Sequence, residues 1–258
     1  MAHYHRGVRD LFIGWDVGGW NCDRNKNSRD ALVTLMRSTQ TIAPLGIAYW
    51  GNIRDDLVRH RGAALVSAVL SRLGVDATDT ATRITFAIDT PLAWPRAARC
   101  LLDDGEATVD VPCAAGENPY LFREQERKLF DRGRGPLSVV RDMIGSQSTK
   151  GIHFVRAVGA RYRETGVWIT DDGRVTVIET YAPFCATRSA SLESETVRIA
   201  RALRTGNTAR DADTRDAAMC ALVAAMFVGD RAALDGPPRG AAADEGWIWL
   251  PRADGPIA

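Results

Sequence analysis

Three short apolar runs precede the first helical periodicity in this chain, and that order limits the folds open to it. Leu11-Phe12-Ile13 leads into Gly14-Trp15-Asp16-Val17-Gly18-Gly19, an apolar strand closed by glycines that mark a turn. Ala31 to Met36 and Gly46 to Trp50 are two further strand candidates, separated by polar residues and Pro44, so a three-stranded meander is predicted. From Arg54 to Leu73 the residues Val58, Leu65, Val66, Val69, Leu70 and Leu73 form one helical stripe, and Gly74 is placed to stop it. Ile84 to Ile88 reads as the fourth strand and ends at Asp89-Thr90-Pro91. The resulting order is β-β-β-α-β.

The stretch from about 91 to 173 reads as a helical insertion. It has a helix from Tyr120 to Asp131, a loop at Gly133 to Pro136, and further helix around Leu137 to Gly145 and from His153 onward. Val175 to Glu179 is the fifth strand, followed by a helix from Leu192 to Leu203 closed by Gly206 and another from Asp213 to Val228. Gly229 to Gly246 reads as a surface loop, and the segment to Pro251 returns to the core, with Trp247 and Trp249 alternating so that one faces inward and the other covers a loop. The expectation is a single α/β domain, residues 1–258, with a mixed five-stranded sheet flanked by helices.

Composition agrees with that class. Of 258 residues 45% are apolar, enough for a substantial core, and the longest apolar stretch, Ala217 to Val228, falls short of the ~20 residues that cross a bilayer. The first ten residues carry no apolar core followed by a small-residue cleavage site, so no secretory signal and a cytoplasmic location are expected. Cys22, Cys100, Cys113, Cys185 and Cys220 form no CxxC pair, and with four histidines they offer no zinc spacing; reduced, buried thiols are expected.

Four acids occupy places where a solvated surface would not put them. Asp16, Asp89 and Glu179 each follow an apolar strand core, and Asp216 opens a small-residue helix face with Asp213 one turn earlier. Ligands of open α/β sheets bind at the carboxyl ends of strands, where side chains converge on a crevice. Carboxylates gathered there repel one another and raise their own pKa values unless cations neutralise them. Oxygen donors without His or Cys favour Mg²⁺ or Mn²⁺, and two such ions about 4 Å apart activate water and stabilise the leaving oxygen of a phosphodiester. Taken singly, each of these acids also has an ordinary reading as a turn-maker or helix cap, Asp213 above all as an N-cap.

The order and the residues resemble the ribonuclease H-like fold of RuvC-type resolvases and related nucleases. More specifically, Ile13 to Gly19, Ala87 to Leu92, Val177 to Pro183, Asp216 to Leu222 and Glu245 to Ile248 resemble the successive blocks of the DUF429 family, described as predicted nucleases of ribonuclease H fold. The resemblance implies a divalent-metal nuclease acting on nucleic acid, DNA or RNA, with Mg²⁺ or Mn²⁺ held by Asp16, Asp89 and Asp216. Glu179 would be a fourth acid at the mouth that orients or deprotonates water, and Asp213 resembles the paired helix acids of such enzymes. The family's last acidic helix often carries a histidine just ahead, where this chain has Thr214 and Arg215.

Net charge is +1, so any argument for a polyanion partner must be local. Pro119 to Thr165 holds ten basic residues against five acidic ones. Arg123 and Arg127 are expected to share a helical face, and Ser146 to Gly151 reads as a glycine-closed loop in which Ser148 and Lys150 could hold a phosphate. The bland reading of this region is a solvated face with i, i+4 pairs such as Glu124 with Lys128. Trp15, Trp20 and Trp94 lie near the acids and are read as packing rather than as base-stacking platforms. A rival enzyme reading, an ATP-dependent kinase or ATPase of the actin and sugar kinase superfamily, rests on the likeness of Gly14 to Asn21 to a first phosphate loop. A catalytically degenerate binding module is the non-enzyme alternative.

Overall fold

In the computed structural model, which describes residues 10–20, 28–38, 41–76, 81–107, 111–112, 114–130 and 135–253, the predicted opening order is present. The strands are β1 (Asp10–Asp16), β2 (Asp30–Ser38), β3 (Thr41–Gly51), β4 (Arg83–Asp89), β5 (Ala160–Glu164), β6 (Val167–Thr170), β7 (Val175–Thr180), β8 (Leu234–Asp235) and β9 (Leu250–Pro251). Seven of them form one mixed sheet in the order β3-β2-β1-β4-β7-β6-β5, and β8 pairs separately with β9. The central pairings, β1 with β4 and β4 with β7, are parallel, while the outer pairings are antiparallel.

The helices are α1 (Arg54–Arg59), α2 (Gly62–Arg72), α3 (Arg96–Asp103), α4 (Glu124–Phe130), α5 (Gly145–Ala157), α6 (Ala182–Arg188), α7 (Ala190–Ala202) and α8 (Thr208–Gly229). The single helix expected over 54–73 is two, broken where His60 and Arg61 are extended and Gly62 takes φ +53°. The sheet has seven strands rather than five because the region read as a helical insertion ends in the β5–β6 hairpin. Residues 161–164 of β5 are exposed, so their polar character concealed an edge strand, and Gly166 turns the hairpin at φ +75°. The helix expected over Leu137 to Gly145 is a series of turns, in which Ser138 donates its amide to Asp142, and helix begins only at Gly145.

Alternation along the strands sends apolar side chains into two separate layers. Phe12, Val33, Leu35, Ala87 and Ile178 pack with α6, α7 and α8 on one face. Leu11, Ile13, Trp15, Leu32, Phe86, Ile88 and Val177 pack with α1, α2 and α5 on the other. Helix α8 lies unusually close to β1: a Cβ at Gly14 would stand 1.9 Å from the Ala217 carbonyl oxygen and 2.3 Å from the Ala221 nitrogen, so the crossing needs glycine. Its alanines at 217, 218, 221, 224 and 225 are all buried and keep the helix flat against the strands.

The C-terminal segment returns to the core as expected, but both of its tryptophans are buried. Trp249 donates to the Gly166 carbonyl at 3.0 Å and Trp247 to the Asp235 carbonyl at 2.8 Å, because the segment runs between the end of β7 and the β8 turn. Part of the expected loop from Gly229 is thus strand β8. Cys185 and Cys220 are buried free thiols and Cys100 is half-buried. His3, His5, Asn21, Cys22, Cys113 and Gly133 lie outside the described residues. Among those described, no helix is long and apolar enough to cross a membrane.

Candidate functional site

Parallel pairing of β1 with β4 sets Asp16 directly opposite Asp89 at the carboxyl ends of both strands. Both follow the alternation of Gly14 and Ala87, so both lie on the face covered by α8. The Gly14–Ala217 contact brings the start of the buried part of α8 to the same level, and Asp216 is the residue just before Ala217. Asp16, Asp89 and Asp216 line one cavity of about 240 Å³.

Among the described residues no basic side chain pairs with Asp16 or Asp89, and the Asp89 carboxylate accepts one amide bond, from Ala182 at 3.3 Å. Burial, followed by the charges of Asp89, Asp213 and Asp216, holds the Asp16 carboxyl well above the usual carboxylate range. Burial and Asp216 push Asp89 up to about 8 against the opposing Ala182 bond. Asp216 rises to about 6, mainly through burial, with Arg215 at 3.9 Å offsetting part of the effect.

Asp213 takes a different place. Helix α8 begins at Thr208, earlier than expected, because the Asn207 side chain accepts the Arg210 amide as its cap. Asp213 is therefore neither N-cap nor cavity wall; its carboxylate accepts the Trp50 indole N–H at 2.8 Å, and burial raises its pKa.

Glu179 lines the cavity but belongs to the opposite alternation. It pairs with Ile88, one residue short of Asp89, so it leaves β7 on the other face. There Oε1 accepts Arg123 Nη2 at 2.5 Å, while Oε2 accepts Arg123 Nη1 at 2.8 Å and the Leu92 amide at 2.9 Å. Burial raises its pKa and Arg123 opposes that rise. With both oxygens committed, Glu179 is a fixed wall of the cavity rather than the water-activating acid expected.

The expected phosphate-tracking lid is not what these basic residues form. Arg123, 2% exposed, precedes α4 and is clamped by Glu126 and Glu179; burial works against its charge, but the two carboxylates outweigh it and raise its pKa. Arg127 sits apart from the acids, in a groove with Glu124, Pro119 and Glu245. Ser146 to Gly151 is helix rather than loop, with Ser148 donating to the Pro91 carbonyl at 2.7 Å. Lys150 is wholly buried, its Nζ 2.6 Å from Asp30 Oδ2 and within reach of Asn52 Oδ1 and the Gly18 and Gly19 carbonyls. An apolar helix face at i, i+3 and i+4 would have identified a buried helix here, but only the sheet shows that Lys150 has a counter-charge waiting. The Glu124–Lys128 pair is present on the surface at 2.5 Å.

Asp30, not singled out from the sequence, proves to be an anchor behind the site. It accepts the Trp15 indole, the Gly18 and Ile53 amides and Lys150. Its position just before the apolar run from Ala31 was the available signal. Gly19 N bonds Ser28 Oγ at 3.0 Å and Trp20 N bonds Ser146 Oγ at 2.9 Å. Three successive amides of the proposed phosphate loop are therefore spent on side-chain oxygens, which weighs against a kinase-type cradle. Trp15 is buried and Trp20 packs edge-on against His153, in keeping with packing roles.

Two further polar groups of the cavity wall lack partners among the described residues: Thr90 Oγ1 and Gln147 Oε1 are both buried without a hydrogen bond there. The donor set at the cavity is all oxygen, without Cys or His, which suits a hard divalent ion. Among the described residues, no three His, Cys, Asp or Glu side chains are gathered tightly enough to cage a metal as they stand. The acids share a wall and repel across it. Compared with protein-family models, curated proteins and solved structures, the chain matches none of them.

Proposed function

We propose that this chain is a divalent-metal-dependent nuclease with a ribonuclease H-like fold of the DUF429 kind, hydrolysing phosphodiester bonds of nucleic acid. The observation that carries the reading is the cross-strand pair Asp16–Asp89 with Asp216 delivered beside it by α8: three carboxyls on one cavity, of which Asp16 and Asp89 have no counter-cation among the described residues and Asp216 has only Arg215 at 3.9 Å. The order β3-β2-β1-β4-β7, with antiparallel outer strands and a parallel centre, supports the same reading.

Asp16, Asp89 and Asp216 would hold Mg²⁺ or Mn²⁺. Held there, such an ion would supply positive charge to offset the carboxylate repulsion and would polarise a phosphoryl oxygen. The protein's own contributions are electrostatic and positional. Asp89 retains a proton near neutral pH until a cation replaces it, since its pKa stands at about 8. Arg123 fixes Glu179 against the Leu92 amide and so keeps the wall next to Asp89 rigid. Gly14 sets the depth at which Asp216 meets the strand ends.

The test is a calorimetric Mn²⁺ titration of wild type and of the Asp16→Asn, Asp216→Asn double variant, followed by incubation with single-stranded and duplex DNA and RNA. Metal binding confined to wild type, with Mn²⁺-dependent cleavage, supports the nuclease. Equal cleavage by the double variant sinks it, and binding of nucleic acid without cleavage under any metal favours the degenerate module.

A further inference from the structure

Among the described residues, five carboxyls and a single guanidinium line the cavity, and that guanidinium, Arg123, is already spent on Glu126 and Glu179. Among those residues no free cation at the wall is available to grip a phosphate. The remainder of the lining is mixed: Val17, Pro136, Leu137, Ile144 and Pro183 are apolar, while Thr90, Gln147, Thr180 and Tyr181 carry polar groups. Leu137 is 47% exposed although it borders the acids, an unusual position for a large aliphatic side chain. At about 240 Å³ the space lies at the small end of ligand sites, so it takes one ring system and not a stacked base pair. The two polar atoms left without partners, Gln147 Oε1 and Thr90 Oγ1, belong to this same wall, and Thr90 is only 5% exposed. A buried acceptor without a partner is costly unless a ligand donor meets it.

We infer that the cavity is a slot for one unpaired nucleobase, in which Gln147 Oε1 accepts a hydrogen bond from the exocyclic amino group of the base. The inference rests on the nuclease reading and narrows it to single-stranded or flipped-out nucleotides that carry an amino group. Cytosine presents such a donor, whereas thymine presents an acceptor and a methyl group at the corresponding edge. Apolar side chains take the faces of the ring, as in pockets that receive a base removed from its stack.

The test uses fluorescently labelled oligo(dC) and oligo(dT) with Mn²⁺, binding being read by anisotropy and cleavage by gel in the same samples. Wild type should bind oligo(dC) at least about tenfold more tightly than oligo(dT). Gln147→Leu should abolish that preference, and Gln147→Glu, which keeps an acceptor, should restore it. Equal binding of the two strands, a preference indifferent to Gln147→Leu, or no binding of either strand overturns the slot. Cleavage without base preference leaves the nuclease standing and removes the slot; a Gln147-dependent preference without cleavage removes the nuclease and keeps the slot.

Discussion

Asp16 and Asp89 are direct partners in the parallel β1–β4 ladder, and both carboxyls stand on the face that α8 covers. Side chains opposite each other on one face of a sheet are nearest neighbours, and like charges there destabilise it. The pair is therefore a place where the fold gives up stability.

The sign of the resulting pH dependence follows from the raised pKa. In the unfolded chain Asp89 ionises near ~3.9, whereas in the folded protein it holds its proton up to about 8. Below pH ~4 both states are protonated and the site costs nothing; as pH rises towards 8 the unfolded state alone ionises, and folded stability is lost. Without divalent ions, Asp89→Asn should therefore gain stability over wild type, by about 3–4 kcal/mol more at pH 8 than at pH 5. Urea unfolding at the two pH values checks this, and an unchanged difference would contradict it.

Mn²⁺ should stabilise the folded state by mass action, by about 2.7 kcal/mol at a hundredfold excess over Kd. Thermal unfolding of wild type should shift upward with Mn²⁺, and that of the Asp16→Asn, Asp216→Asn double variant should not. A shift common to both proteins would locate the ion elsewhere.

Gly14→Ala places a methyl group against the backbone of α8 at Ala217 and Ala221, which no side-chain rotation relieves. The expected loss is about 2–4 kcal/mol, together with weaker Mn²⁺ binding as Asp216 is moved away from Asp16. Denaturant midpoints and calorimetry read the two effects. A fully stable Gly14→Ala protein would mean that α8 does not lie on β1 as described.

Lys150→Met removes the counter-charge of wholly buried Asp30, whose pKa burial already raises and Lys150 holds down. Stranding a buried charge costs about 3–5 kcal/mol, while Asp30→Asn with Lys150→Met should recover much of that loss. Equal destabilisation of the single and double variants in urea would rule out the pair as the cause.

Cys185 and Cys220 should resist alkylation at pH 8 in the native protein. Burial pushes the Cys185 thiol up to about 12 and Cys220 well above its ordinary value. Peptide mapping after brief iodoacetamide treatment, with and without urea, reads this directly; rapid native labelling of either would show that the core beneath α8 opens.

Much of the fold was legible because its segments are locally consistent. The runs at Leu11, Ala31 and Ile84 alternate into two apolar layers, so strand identity and the burial of both faces follow from residue pattern alone. Asp16, Asp89 and Asp216 stood out because the first two directly follow apolar strand cores and the third opens a small-residue helix face. The β5–β6 hairpin was hidden because an exposed edge strand carries the residues of a solvated helix. Gln147 and Thr90 carried no signal, since an unpartnered polar atom exists only relative to what surrounds it.

The sequence by itself determined five strands of the central sheet, β1 to β4 and β7, and which acids lie at their ends, because hydrophobic periodicity and glycine placement act over a few residues. Tertiary structure alone decided which charges are free. Lys150, Arg123 and Glu179 read as surface or mouth residues until pairing brought Asp30, Glu126 and the Leu92 amide against them. Asp16 and Asp89, 73 positions apart, became neighbours only through parallel register. The field at a carboxylate depends on distance and burial, and neither is a property of sequence separation.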